Sequence, residues 1–373
     1  MNGKQRVQAS LTGQPVDRSP VTVLYNMLYF QDHFPELTSR PPWQMQSWLH
    51  SSPEEYLQTY AGMIALAPFE ILQPELAPSR QAREQVEFIT QGNSRYLHDR
   101  RSGSLTPIDS TSGHARDYAA NETQYVFNRR DINTRIKINQ AEAMLANGQN
   151  DYIDAVVSAF GQDHFILSGG VVGTIYASGD YIGQTNALAM LLEEPGLMDY
   201  LCQKITEQNI EHIRALAAAG GDAIYIDDAT ATSDMISVKA YERFSLPYIK
   251  MMVDEIHRLG HLAIVIYFGG VSDRLEQIVS TGADGLSVET SMKNYTNDIH
   301  AIAAQVGQRV TLFGNIDPLK VLQDGSDDEL QAEMKRQSQA GRLCRGFIMS
   351  TGSPITPGTP LARVQRFLSL AAM

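Results

Sequence analysis

From residue 160 onward the chain repeats one unit, a short apolar run followed by a longer amphipathic stretch. This alternation constrains the fold more than any other feature. A strand, a helical crossover and a second strand leave the strands parallel and the helices outside them. Residues 222–227, 262–268, 285–289, 310–315 and 346–350 read as strands. Residues 239–260, 272–281, 298–306, 318–323, 327–341 and 360–371 read as the helices that follow them. Three earlier runs, 21–26, 69–73 and 164–169, raise the strand total to eight, the number that closes a (β/α)8 barrel. The predicted fold class is therefore α/β, a (β/α)8 TIM barrel. Residues 1–373 form a single domain with an N-terminal arm.

The longest break in the rhythm, about residues 74–163, follows the second predicted strand. An insertion there reaches the catalytic end of a barrel. It carries a predicted strand pair at 87–89 and 105–108 and a helix near 139–147. It also holds His98, His114, Arg129 and Arg130, and it reads either as a solvated flap or as part of the site.

In such barrels chemistry sits where the strands end, and strand side chains alternate between the interior and the helix layer. Ile224 and Ile226 suit the helix layer, which turns Tyr225 and Asp227 inward. The same alternation turns Ser287 and Glu289 inward, and Asn315 with them. The predicted mouth thus carries Asn26, Asp227, Asp228, Glu289, Asn315, Asp317 and, from a strand apolar on both faces, Tyr267. Acids converging in a low-dielectric cup raise one another's pKa values, so that one holds a proton and acts as a general acid. Asp228 and Asp317 have a structural alternative, since Asp317 precedes Pro318, a favoured first helical residue. The glycine- and hydroxyl-rich loop 350–360 reads either as a polar-group binder or as a rigid turn.

Composition narrows the function. A net charge of −12 argues against a general nucleic-acid or anionic-membrane surface. Two cysteines exclude a disulfide framework. The N-terminus lacks the apolar core of a signal peptide and no run is long enough to span a membrane, so the predicted location is cytoplasmic. Neither CxxC nor HExxH is present, and His164, His257 and His261 fall at the wrong end of the predicted barrel, so no metal site is predicted. No GxGxxG or GxSxG follows a strand.

Several segments, in order, resemble the uroporphyrinogen decarboxylase superfamily. FGNIDP at 313–318 is similar to its GN(L/I/V)(D/S)P signature, and GFIMSTGSPITPGTP at 346–360 to its terminal segment. ISVKAYERFSLPY at 236–248 and TGADGLSVE at 281–289 resemble a helix and a strand of the family. The resemblance covers about residues 188–373 and itself implies the barrel. True decarboxylases of the superfamily grip substrate carboxylates with the arginines of an RQAGRY-like segment. The corresponding NMLYFQD at 26–32 has no arginine, which argues against a substrate with eight carboxylates. The other large branch comprises corrinoid-dependent methyltransferases. Many of these hold zinc with an H-x-C on the fifth strand and a cysteine in the last loop. Here those positions read IYFGG at 266–270 and Ser353, so the zinc version lacks its ligands.

The resemblance thus implies a methyltransferase without that zinc. It would move a methyl group between a methylated small molecule, such as a methoxyarene, or tetrahydrofolate and a corrinoid (cobalamin). No DxHxxG segment is present, which puts the corrinoid on a separate partner protein; DEIHRLG at 254–260 is one residue off the spacing. Asp227, Glu289 and Tyr267 are the candidate acid and proton relay, and Asn26, Asp228, Asn315, Asp317 and Ser353 the candidate substrate contacts. Family resemblance also implies a homodimer. The competing readings are a decarboxylase or other lyase, a non-catalytic binding barrel, and a metal hydrolase that uses carboxylates and the insertion histidines.

Overall fold

The computed structural model describes residues 1–92, 94–108 and 127–371. Ten strands are described: β1 (Ile71–Leu72), β2 (Val86–Gln91), β3 (Ser94–Asp99), β4 (Leu105–Pro107), β5 (Phe165–Val172), β6 (Ala223–Asp227), β7 (Leu262–Tyr267), β8 (Gly285–Val288), β9 (Thr311–Phe313) and β10 (Phe347–Ile348). Seven of them form one curled parallel sheet in the order β1-β5-β6-β7-β8-β9-β10, the architecture that the strand–helix alternation predicts. The other three, β2, β3 and β4, make an antiparallel meander between β1 and β5 in sequence. Its middle strand, β3, is not foreseen by the sequence reading. β3 pairs on both sides, Leu97 with Phe88 and with Thr106.

The predicted first strand shrinks to a single bridge, Val21 to Met349. Its backbone nevertheless bonds both edges of the sheet. Thr22 N–H donates to the Met349 carbonyl at 3.0 Å, and Glu70 N–H donates to the Val21 carbonyl at 3.3 Å. The strand cannot run on to Asn26, because Tyr25 adopts left-handed φ/ψ of 55° and 42° and starts helix α2 (Asn26–Asp32). An earlier helix, α1 (Gly3–Leu11), lies across the opposite end of the sheet. Thr311 Oγ1 donates to the Ser10 carbonyl at 2.7 Å, and Arg345 donates to that of Leu11 at 3.2 Å. Val7 and Leu11 join an interior cluster with Phe165, Leu167, Ala223, Ile264, Ile266 and Phe313. Burying a leucine of this kind contributes about 1.5–3 kcal/mol.

The interior cluster fixes which strand faces look inward. Ala223 of β6 lies in it with Tyr225 against it, while Ile224 and Ile226 belong to the cluster under the helices. On β7, Ile264 and Ile266 are interior, and Ala263, Val265 and Tyr267 face the helix layer.

Candidate active site at the strand ends

Beyond the ends of β1, β5 and β6 lies a cavity of about 620 Å³. Its wall includes Tyr25, Gln73, Glu75, Tyr176, Tyr225, Asp227, Phe268 and Pro354. Local backbone geometry makes the room. Gly169 sits at φ 126°, and the β5–β6 register shifts between Leu167 and Gly170. A Cβ on Gly170 would land on the Tyr225 ring, so only glycine lets that ring lie against β5.

Tyr25 is the centre of this side. A positive φ is a genuine outlier for a bulky residue and costs about 1–3 kcal/mol, so the surroundings must hold it. Its hydroxyl donates to Asp227 Oδ2 at 2.7 Å. Its ring meets Tyr225 edge-on at 5.7 Å and stacks on Phe268 at 6.3 Å. Burial, with Asp227 next to it, pushes the Tyr25 hydroxyl well above the usual phenol range, so the group is a donor and not a phenolate. Glu75 accepts from Gln31 Nε2 at 2.8 Å, and burial raises its pKa.

Beyond β7, β8 and β9 the rim is different, because side-chain amides close it. Asn315 Nδ2 donates to the carbonyls of Glu289 (3.2 Å) and Asn297 (2.8 Å), and Asn315 Oδ1 accepts from Gln337 Nε2 at 3.0 Å. Asn297 Nδ2 donates to the carbonyls of Gly269 (2.9 Å) and Glu289 (3.1 Å), and its Oδ1 accepts from Val271 N–H at 3.2 Å. Both amides have their donors and acceptors engaged by protein. Glu289 Oε1 accepts from Thr290 N–H at 2.9 Å and from the Ser353 hydroxyl, and burial raises its pKa.

The predicted mouth residues therefore divide. Asp227 lines the cavity. Glu289 and Ser353 are joined to each other on the closed side. Four of the predicted substrate contacts have their side chains engaged within the protein. Asn26 is fully buried at the start of α2, where its Nδ2 donates to the Ile71 carbonyl at 2.7 Å. Asp228 is also fully buried; strand alternation turns it away from the cavity onto Ser245 Oγ, 3.1 Å away, and burial raises its pKa to about 7. Asn315 spends its side chain on the rim network. Asp317 caps the short helix Pro318–Gln323, accepting the N–H groups of Leu319 (3.0 Å) and Lys320 (2.9 Å). Tyr267, the predicted proton relay, faces the helix layer and donates to the Ala231 carbonyl at 3.0 Å. Phe268, the next residue, reaches the cavity instead.

The loop 350–360 is tied to its neighbours. Thr356 and Thr359 both donate to Gln323 Oε1, and Pro354 alone from this loop lines the cavity. His98 sits on β3, 3.6 Å from Glu87, and Arg129 lies over the Tyr200 ring. His114 lies outside the described residues. Among the described residues no three His, Cys, Asp or Glu side chains group as metal ligands. Cys202 is buried under the helices and Cys344 precedes β10, with burial pushing the thiols up to about 12 and about 11. Neither thiol stands at the cavity, so the residues present do not fit the thiolate zinc site. Tyr25 and Glu75 escape the sequence reading. No local pattern announces a left-handed tyrosine, and Glu75 looks like the first turn of the insertion.

Comparison with known proteins adds the following. The family model described as Uroporphyrinogen decarboxylase (URO-D) matches residues 122–372. A uroporphyrinogen decarboxylase of Tolumonas auensis is 32% identical over 182 residues, 48% of this chain and 49% of that one. A methylcobamide:CoM methyltransferase of Methanosarcina mazei is 29% identical over 177 residues, 48% of each chain. The match thus spans about half the length of these curated relatives. A solved methyltransferase structure from Methanosarcina mazei superposes with a TM-score of 0.68 at 20% identity, over 100% of this chain and 98% of that one, which establishes the fold. No helix among the described residues is long and apolar enough to cross a membrane.

Proposed function

We propose, from the premise that this chain belongs to the uroporphyrinogen decarboxylase family, that it is a methyltransferase working with a separate corrinoid protein and not a porphyrinogen decarboxylase. One observation carries the choice. The described wall of the cavity holds two carboxylates and four aromatic rings, and none of its described residues is Lys, Arg or His. A substrate dense in carboxylates needs cations to offset its charge, and residues 26–32 carry no arginine.

In this reading the methylated small molecule, a methoxyarene or a tetrahydrofolate-like pterin, lies between Tyr25, Tyr225 and Asp227. When bound at the mouth, the partner's corrinoid supplies the cobalt that exchanges the methyl group. The protein's own part is to orient the substrate and to manage charge and protons. Tyr25 donates to Asp227 Oδ2 and fixes where that side chain stands. Asp227 is thereby set to stabilise positive charge that builds on a methyl donor or a protonated pterin nitrogen. Glu289, its pKa raised and its Oε1 against Ser353, is the candidate proton store on the other side of the rim. Residues 20–22 act as the eighth stave, so that the described strands of the parallel sheet close into one barrel with α1 as a capping arm. The free thiols Cys202 and Cys344 accord with a reducing, cytoplasmic setting, and the family resemblance supports a homodimer.

The test is spectroscopic. The protein is mixed with methylcobalamin and tetrahydrofolate, and separately with reduced cobalamin and methoxyarenes, each with and without its corrinoid protein. An enzyme-dependent change in the cobalt–methyl spectrum, lost in Asp227→Asn, is expected. A flat spectrum in every arm, with decarboxylation of uroporphyrinogen by the same preparation, would replace this reading by the lyase one.

A further inference from the structure

We infer that Arg274 is a positioning residue for the cavity, its buried guanidinium clamping the turn after β6 and so fixing the wall at Ala229 and Phe268; the inference rests on reading this cavity as the methyl-substrate site. Arg274 is 1% exposed. Arginine is almost never buried to this extent unless its donors are used. Asp273 takes two of them, Nε at 2.9 Å and Nη2 at 3.1 Å, and that carboxylate is itself partly exposed. The others go to main chain. Nη1 donates to the Ala231 carbonyl at 2.9 Å, and Nη2 donates to the Ile236 carbonyl at 2.9 Å. Residues 229–236 form neither helix nor strand, so no sheet ladder supplies partners for these carbonyls. The Tyr267 hydroxyl donates to the same Ala231 carbonyl at 3.0 Å, and the guanidinium lies 5.4 Å from the centre of the Tyr241 ring. A planar fork with five donors holds both ends of such a turn at once; a single ammonium does not.

Arg274 does not line the cavity, so it acts through the turn, which meets the cavity on two sides. Upstream, the turn continues directly from Asp227 and Ala229 in the wall. Downstream, it packs on the backbone that follows β7. A Cβ on Gly269 would stand 2.6 Å from Thr232 Cβ, and one on Gly270 would stand 2.9 Å from Ser233 Oγ. Glycine at both positions lets the turn lie directly on this backbone. The residue before them is Phe268, whose ring lines the cavity and stacks on Tyr25. Releasing the Ala231 and Ile236 carbonyls therefore loosens Ala229 and the backbone that carries Phe268 together. A misplacement of about 1 Å at a substrate wall is enough to cost about 10²-fold in rate.

Arg274→Lys keeps the charge and removes the fork. Amide hydrogen exchange on the full-length protein is expected to quicken about tenfold over residues 229–237 and to stay parental over residues 311–316, on the other side of the rim. In the methyl-transfer assay the KM of the methyl substrate is expected to rise about tenfold. A variant that only loses stability changes the amount of active enzyme, and so the apparent kcat, and leaves KM where it was. Asp273→Ala is the second variant, because its side chain is 43% exposed and its loss frees the same guanidinium. It is expected to quicken exchange over the same residues by about threefold. Parental exchange over 229–237 in Arg274→Lys overturns the inference, and so does parental exchange in Asp273→Ala where Arg274→Lys does not fold. Uniform quickening along the chain, or a loosened turn with an unchanged KM, overturns it too. Exchange needs no turnover. A parent protein that moves no methyl group removes the methyl-transfer reading, and the clamp then stands or falls on exchange alone.

Discussion

The two halves of the strand-end rim are built on opposite principles. Beyond β7, β8 and β9, Asn297, Asn315 and Gln337 are buried and spend their amides on one another and on the carbonyls of Gly269 and Glu289. Beyond β1, β5 and β6, the wall is a cavity faced by Tyr25, Glu75, Tyr225 and Asp227, and one of these residues is held in a strained conformation. A saturated network stabilises, because each missing partner would leave a buried polar group unsatisfied. A strained and open wall costs stability, and such costs persist where a ligand makes use of the geometry. The closed half thus fixes the rim and holds Glu289 in place, and the open half is where a ligand has room.

The largest expected contrast is between one substitution in each half. Asp227→Asn keeps the shape of the wall and removes its charge. Methyl transfer should fall about 10²–10⁴-fold, the range for loss of a positioned charge or proton group, with an unfolding midpoint close to that of the parent. Asn315→Ala should do the reverse in stability. It strips two donors and an acceptor from the buried rim, and a loss of about 2–4 kcal/mol in denaturant unfolding is expected. If Asn315→Ala unfolds like the parent, or Asp227→Asn turns over like it, the division of the rim is wrong.

A smaller effect separates two neighbouring acids on opposite faces of one strand end. Asp227 lines the cavity, whereas Asp228 is buried under the helices with its pKa raised from 3.8 to about 7, chiefly by desolvation. The unfolded chain releases this proton near 3.8 and the folded one near 7. Between those values the unfolded state binds fewer protons, so the Asp228 contribution makes stability fall as pH rises, by at most about 1.4 kcal/mol per pH unit, and level off above the folded value. Asp228→Asn should flatten that stretch of the stability–pH curve. An unchanged slope would mean that Asp228 ionises freely, which would place it with Asp227 on the wet side.

How much of this was legible in the sequence follows from the range of the interactions involved. The parallel sheet and the inward faces of β6 are period-two patterns within five or six residues, so Tyr225 and Asp227 could be read as inward at once. β7 could not, because both its faces are apolar. What turns Tyr267 outward is the Ala231 carbonyl, 36 residues away in sequence. Asn315 was visible as a strand-end amide. Its role was not, because its partners Glu289, Asn297 and Gln337 meet only in the folded rim. Tyr25 is the extreme case. Its hydrogen-bond partner is 202 residues away, and its left-handed backbone contradicts the local preference of a tyrosine. Function concentrated where local preference and tertiary demand disagree, and single-sequence reasoning is least informative there.

The smallest expected effect tests the scaffold half most narrowly. Asp317 stands on the rim next to the Asn315 network, and the sequence offers it both as a substrate contact and as the cap before Pro318. In the fold its Oδ1 is occupied by the N–H groups of Leu319 and Lys320, two of the unpaired donors that open the helix Pro318–Gln323. Removing a cap of this kind costs about 1 kcal/mol, so Asp317→Ala should lower the unfolding free energy by that amount. Asp317→Asn, which keeps an accepting oxygen at the cap, should recover most of it. Both variants should transfer methyl groups at close to the parental kcat/KM. A drop in kcat/KM shared by Asp317→Ala and Asp317→Asn would show that the charge and not the cap matters, and would extend the working half of the rim past β9. A stability loss confined to Asp317→Ala keeps Asp317 in the scaffold and leaves Asp227 as the acid that meets the ligand.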